Sequence, residues 1–317
     1  MRRLQAWLRR TPFRVGVWFS HSHRLGAWRD SGRASLPDGG AVDTVADGNE
    51  RNVLHPRLTR YRLLIAATIL AAATIFVFAH GAARWWSLAA LGTLSGLGVG
   101  LGVSFPQWQL FGDNFCRATT RRKIVALTFD DGPDAESTPA LLALLAERNV
   151  RATFFCIANR AARQPELVKC IVAEGHEIEN HTFQHSVLTN VFSTARLREE
   201  LLLAQNEIQR AAGRAPIFFR PPVGLTNPRI FRVTGELGLK VAGYTARGLD
   251  RRNDPPEKIA GRLLDKLKPG AIFLLHDAGV PRERLLAVVT LVLDKLQAAG
   301  YRCVRLDELR NEHETNR

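Results

Sequence analysis

IVALTFDDGPD, residues 124–134, sets an unbroken apolar run against an acidic turn. Such a run reads as a strand buried on both faces, the pattern of a parallel sheet. Similar runs recur downstream: ATFFCI (152–157), HEIEN (176–180), PIFFR (216–220), KVAGYT (240–245), AIFLLHD (271–277) and RCVRL (302–306). Between them lie segments with apolar spacing of three and four, such as Leu141, Leu144 and Leu145, the period of a helix face. Thr138 and Pro139 suit the N-cap and first turn of one helix; Pro281 opens another, and Gly300 follows its end. Strand–helix alternation predicts an α/β fold with a mainly parallel sheet. Seven such runs in about 200 residues fit a small, deformed (β/α) barrel, in which chemistry collects at the C-terminal ends of strands. There is no convincing internal repeat and no phosphate-cradling glycine loop.

The unusual residues do sit at strand ends. Asp130 and Asp131 are adjacent carboxylates after an apolar strand. They repel each other and lose solvation unless a metal or an arginine takes up the charge. In Asn180-His181-Thr182-Phe183-Gln184-His185, two histidines at i, i+4 would share one face of a helical turn and could hold one metal ion. Phe219-Arg220-Pro221-Pro222-Val223-Gly224 places a guanidinium before a rigid turn, and Leu274-Leu275-His276-Asp277 ends an apolar strand on a histidine. Singly, each has a bland structural reading as a turn or a satisfied polar residue. Together they supply the groups that metal-assisted hydrolysis needs.

TFDDGP, NHTFQH, FRPPVG and LLHD, in that order, resemble the NodB-type polysaccharide deacetylase family, carbohydrate esterase family 4, over roughly 122–306. The resemblance implies a deformed (β/α) barrel and a metal-dependent hydrolase that removes an N-acyl group, typically acetyl, from an amino sugar. It implies Asp131, His181 and His185 as metal ligands. Their donor set suits Zn²⁺, with Co²⁺ or Mn²⁺ as alternatives. Asp130 would be the general base, Arg220 the residue that orients it, and His276 the general acid that protonates the leaving amine. Asp250 would support His276. The backbone N–H of Val223 would bind the oxyanion, with Pro222 and Leu275 on the same substrate surface.

There are departures from the family pattern. Val223 stands where an aromatic is common, and Arg251 where a Trp often follows the Asp250 position. No Trp occurs after position 108, which leaves Phe183 and Tyr244 as aromatic platforms. A lipid-linked amino sugar therefore stands beside an N-acylated glycan as the expected partner. Three other functions compete: a deformylase or amidase on another N-acyl substrate, a non-haem iron enzyme using the same triad, and an inactive sugar-binding module. The Asp pair and His276 favour hydrolysis.

The 317 residues average a mean hydropathy of −0.09 and a net charge of +14 over three unlike regions. Residues 1–62 carry +7, residues 63–112 only Arg84, and residues 113–317 +6, too little over that length for a nucleic-acid surface. The first region reads as basic and disordered, with a linker from Ser31 to Asn52; a translation start near Val53 is an alternative to Met1. Within 63–112 two candidate transmembrane helices are expected. Residues 63–83 would span about 31 Å. The second, 85–112, carries Gly92, Gly96 and Gly100 at packing spacing and Trp85 and Trp86 at the interface. The expected location is the bacterial cytoplasmic membrane. Arg57, Arg60 and Arg62 before the pair, and Arg117, Arg121, Arg122 and Lys123 after it, would put both flanks in the cytoplasm. The family resemblance implies an extracytoplasmic domain, and a single span would reconcile the two. Residues 113–317 are expected to form the catalytic domain. Cys116, Cys156, Cys170 and Cys303 form no C-x-x-C motif, and Cys156 and Cys303 are expected to be buried free thiols.

Overall fold

The computed structural model describes residues 58–316. The basic segment before them, with its linker and the start near Val53, lies outside the described residues. Helices α1 (Leu58–Phe78) and α2 (Gly81–Ser104) are each long and apolar enough to cross a membrane. They touch where Thr68 Oγ1 meets Ser95 Oγ at 3.2 Å. The break between them falls at Ala79 and His80, not at Arg84 as expected. Arg84 is instead in the first turn of α2. Its Nε donates to Ala79 O at 2.8 Å and its guanidinium lies 4.8 Å from the Phe76 ring centroid. A long cationic side chain thus satisfies a carbonyl left open at the end of α1. The expected glycine packing face is not used against α1, since a Cβ at Gly92, Gly96 or Gly100 would meet nothing within 4 Å.

The C-terminal domain curls around one parallel sheet. Its strands are β1 (Asn114–Phe115), β2 (Ile124–Asp130), β3 (Thr153–Cys156), β4 (Glu177–Asn180), β5 (Phe218–Phe219), β6 (Lys240–Ala242), β7 (Ala246–Arg247), β8 (Ile272–His276) and β9 (Arg302–Val304). Their order is β1-β6-β5-β4-β3-β2-β8-β7, with β9 also on β2, and every strand ladder is parallel. This is the deformed barrel predicted from the alternation. The seven predicted runs are all strands. β1 and β7 were missed because two residues are too short to display a period.

Helices α3 (Ser137–Glu147), α4 (Ala158–Arg163), α5 (Pro165–Ala173), α6 (Thr194–Ala212), α7 (Pro228–Glu236), α8 (Pro256–Leu264), α9 (Arg282–Ala298) and α10 (Leu306–Thr315) complete the domain. Strand side chains alternate between two cores. Val125, Leu127, Phe129, Phe154, Phe273 and Leu275 face outward onto Leu141, Leu145, Val288 and Val292 of the helices. Ala126, Phe155, Phe218, Ala242 and Ile272 face inward, with Leu306 and Leu309 of α10 among them. Thr138 is not the N-cap of α3. Asp134 Oδ1 accepts from the backbone N–H of Glu136 and Ser137 at 3.1 and 2.9 Å, and Thr138 Oγ1 is used elsewhere. Cys156 is buried as expected, but Cys303 is only half-buried.

Candidate active site

The inward parity of β2 carries Asp130 to the open end of the barrel, where Arg220 meets it. Arg220 Nη1 donates to Asp130 Oδ1 at 2.6 Å and to Thr128 Oγ1 at 2.7 Å; Nη2 donates to Gly243 O at 2.9 Å. The guanidinium lies 3.9 Å from the Phe155 ring centroid and is 1% exposed. Few arginines are so completely buried, and this one is held against one ring face and at its donors. It fixes the carboxylate and matches its charge. Thr128 was not anticipated from the sequence, since a Thr inside an apolar strand looks like any β-branched residue.

Asp131 turns away in the left-handed region, at φ 75°. Its Oδ1 lies 3.2 Å from His181 Nε2 and 3.1 Å from His185 Nε2, and that buried oxygen has no hydrogen-bond partner. His181 Nδ1 is 2.8 Å from Arg220 O, a carbonyl that can only accept. The proton therefore sits on Nδ1, and Nε2 presents a lone pair to Asp131. Burial holds His181 below its ordinary pKa. Burial and the neighbouring His181 push His185 down to about 4. Both are neutral at pH 7, the form that binds metal. Acceptors converging on a buried carboxylate oxygen need a cation, and the three ligand atoms lie within 4.8 Å of one another. The donor set fits a divalent metal.

The two histidines do not share a helical turn. Thr182 and His185 are left-handed, at φ 68° and 56°. The loop is pinned by Asn180 Oδ1, which accepts from Thr182 N at 2.8 Å, and by Thr182 Oγ1, which accepts from His185 N at 2.8 Å. A strand end, not a helix, makes the i, i+4 pair converge. Val223 and Leu249, at φ 62° and 56°, are also left-handed. Such strain costs about 1–3 kcal/mol per residue and tends to collect at functional sites.

His276, at the inward end of β8, is held twice by one carboxylate. Its Nδ1 is 2.8 Å from Asp250 Oδ1, and its backbone N–H donates to Asp250 Oδ2 at 2.7 Å. This turns Nε2 toward Asp131 Oδ2, 3.9 Å away. Arg251 also contacts Asp131 Oδ2.

These groups line one cleft of about 310 Å³, together with Val223, Leu274 and three arginines, Arg247, Arg251 and Arg252. Hollows of about 360 and 380 Å³ elsewhere contain none of the predicted catalytic or metal-ligating residues. The donor set, not size, singles this one out. Two expected substrate residues are placed differently. Leu275 faces outward into the helix-packed core, because side chains alternate along β8 and Leu274 shares the parity of His276. Pro222 is buried behind the wall, while Pro221 and Val223 line the cleft, and Val223 is 57% exposed. Arg247 and Arg252 were missed as cleft residues. The only signal was the charge density of Arg247-Gly248-Leu249-Asp250-Arg251-Arg252.

Residues 117–242 match the polysaccharide deacetylase family. A peptidoglycan-N-acetylglucosamine deacetylase of Bacillus cereus is 38% identical over 189 residues, covering 59% of this chain and 88% of that protein. A chitooligosaccharide deacetylase of Bradyrhizobium is 33% identical over 197 residues, covering 58% of this chain and 90% of that protein. Among solved structures, a family 4 acetyl xylan esterase from Clostridium thermocellum, in complex with a cobalt ion, superposes with a TM-score of 0.55 at 33% identity. It covers 59% of this chain and 90% of that one.

Proposed function

The chain belongs to the polysaccharide deacetylase family, and we propose that it is a metal-dependent hydrolase removing the N-acetyl group of an amino sugar at a bacterial membrane. The observation that carries the metal reading is the partnerless Asp131 Oδ1, faced by the Nε2 atoms of His181 and His185. A divalent cation held by these three residues would polarise the amide carbonyl and acidify a water molecule. Asp130, fixed by Arg220, takes a proton from the attacking water as it adds to the acyl carbon. The backbone N–H of Val223 stabilises the developing oxyanion. His276, oriented by Asp250, protonates the amine as the C–N bond breaks, and acetate and a free amino sugar leave. An iron oxygenase has no use for the Asp130–Arg220 or His276–Asp250 pairs.

The membrane reading is supported by the course of the chain. Thr226 N lies 3.5 Å from Val103 O, so the end of α2 adjoins the loop that carries Val223. Phe105 and Trp108, exposed just beyond α2, stack with centroids 5.5 Å apart. Val187, Leu188 and Val191 are also exposed. An apolar rim next to a candidate span suits a substrate resident in the bilayer, such as a lipid-linked N-acyl sugar.

Chelator-stripped full-length protein in detergent tests the metal reading. Acetate release from N-acetylglucosamine tetramer should fall at least about 100-fold on stripping and return with Zn²⁺ or Co²⁺. Undiminished activity in metal-free protein would overturn it.

A further inference from the structure

The cleft carries more positive charge than the reaction uses. Four arginines and two aspartates line it. Arg220 is committed to Asp130, and Asp131 faces the two histidines that complete the metal-ligand set. Arg251 shares Asp131 through Oδ2. Arg247 and Arg252 are exposed and have no carboxylate partner among the described residues. Of the two loop acids, Asp250 is held by His276, and Asp254 is taken by Lys258 at 2.9 Å and by Arg262. A divalent ion would make the surplus larger still.

The segment that presents these arginines is well fixed. Gly248 N donates to Leu274 O at 3.0 Å, Arg252 N donates to Leu249 O at 2.9 Å, and Arg262 Nη1 donates to Gly248 O at 3.0 Å. Asp250, inside the same segment, is locked onto His276. The guanidinium groups are therefore carried on a braced loop beside the general acid, on the side where the leaving amine departs. A neutral N-acetyl sugar offers such a group only hydroxyl and carbonyl acceptors, with no charge to match. The planar guanidinium fork matches phosphate and carboxylate oxygens.

We propose that Arg247 and Arg252 form an oxyanion subsite that selects an N-acyl sugar bearing a phosphate or carboxylate. The proposal rests on the deacylase reading above. It makes the enzyme a processor of acidic saccharides, with the anionic group engaged on the leaving-amine side of the metal-ligand cluster.

The test measures binding separately from turnover. Full-length Asp130→Asn protein, metal-supplemented in detergent, is titrated calorimetrically with N-acetylglucosamine, N-acetylglucosamine 1-phosphate and N-acetylmuramic acid. At least one charged ligand should bind about 10-fold more tightly than the neutral sugar, and the gain should shrink with added salt. A preference for the 1-phosphate identifies a sugar phosphate, and a preference for the muramic acid identifies a lactyl carboxylate. Adding Arg247→Gln and Arg252→Gln should reduce the preference to twofold or less, and Lys at both positions should restore part of it. Equal affinity for charged and neutral sugars overturns the proposal. So does a preference that survives both Gln substitutions, which would place the anion on the metal instead. Acetate release by the wild-type chain from the same ligands is read in parallel. Its absence would defeat the deacylase reading while leaving the binding result to decide the subsite.

Discussion

Arg220 does with one side chain what several residues would otherwise share. It neutralises Asp130, ties Thr128 and the Gly243 carbonyl together, and covers the Phe155 ring. Its carbonyl sets the tautomer of His181. FRPPVG alone reads as a structural turn, and it was legible as a site only beside the other three strand ends. Leu274 and Leu275 were harder to separate. Adjacent and both apolar, they have opposite destinations, and nothing in LLHD states which parity faces the barrel interior. The structure assigns Leu275 to the helix-packed core and Leu274 to the cleft. Leu275→Ala should therefore destabilise the fold by about 2–5 kcal/mol and leave KM unchanged. Leu274→Ala should raise KM. Thermal unfolding and steady-state kinetics on the two variants check this, and a KM change in Leu275→Ala alone would contradict the assignment.

At the scale of elements, the turn between β2 and α3 is braced from β8. Asp277 Oδ2 accepts from Thr138 Oγ1 at 2.6 Å, and Ser137 Oγ donates to Asp277 O at 2.5 Å. Gly132 lies against that carboxylate, so a Cβ there would clash with Asp277 Oδ2. Glycine at 132 is thus a requirement of close approach. Asp277 Oδ1 is buried without a partner, and burial pushes this carboxyl up from 3.8 to about 7, against the lowering effect of Thr138. The native chain then keeps a proton that the unfolded chain releases near pH 4. This contribution to stability is complete below about pH 4 and is lost as pH rises through about 7. Asp277→Asn mimics the protonated form and should remove that slope. Between pH 5 and 8 its Tm should fall less than that of wild type, and parallel falls would contradict the account. The sequence displayed the adjacent Asp130 and Asp131, but not this supporting carboxyl, which is distant in sequence from the turn it braces. The i, i+4 histidines show the same limit. Their convergence was legible, but the two left-handed residues that achieve it were not.

Across the whole molecule, parallel alternation was readable because each strand is a short apolar run between helical periods. The curl of the sheet then gathers four distant strand ends into one cleft. The N-terminal hairpin was legible as two uncharged stretches. Its break was not, because Arg84 folds back onto the end of α1 and need not terminate a helix. If α1 and α2 are spans, the chain should stay in the membrane fraction through an alkaline carbonate wash and leave it only with detergent. Release by carbonate would contradict a spanning hairpin.

The central claim is that Asp130, beside a metal held by Asp131, His181 and His185, drives hydrolysis of an N-acyl amino sugar. It is tested most directly by comparing wild-type and Asp130→Asn proteins for bound metal and for products from an N-acetylglucosamine oligomer. Wild type should release acetate and free amine one for one. The variant should bind the same metal and lose about 10³-fold or more in kcat. A metal-loaded variant that releases acetate at the wild-type rate would contradict the account.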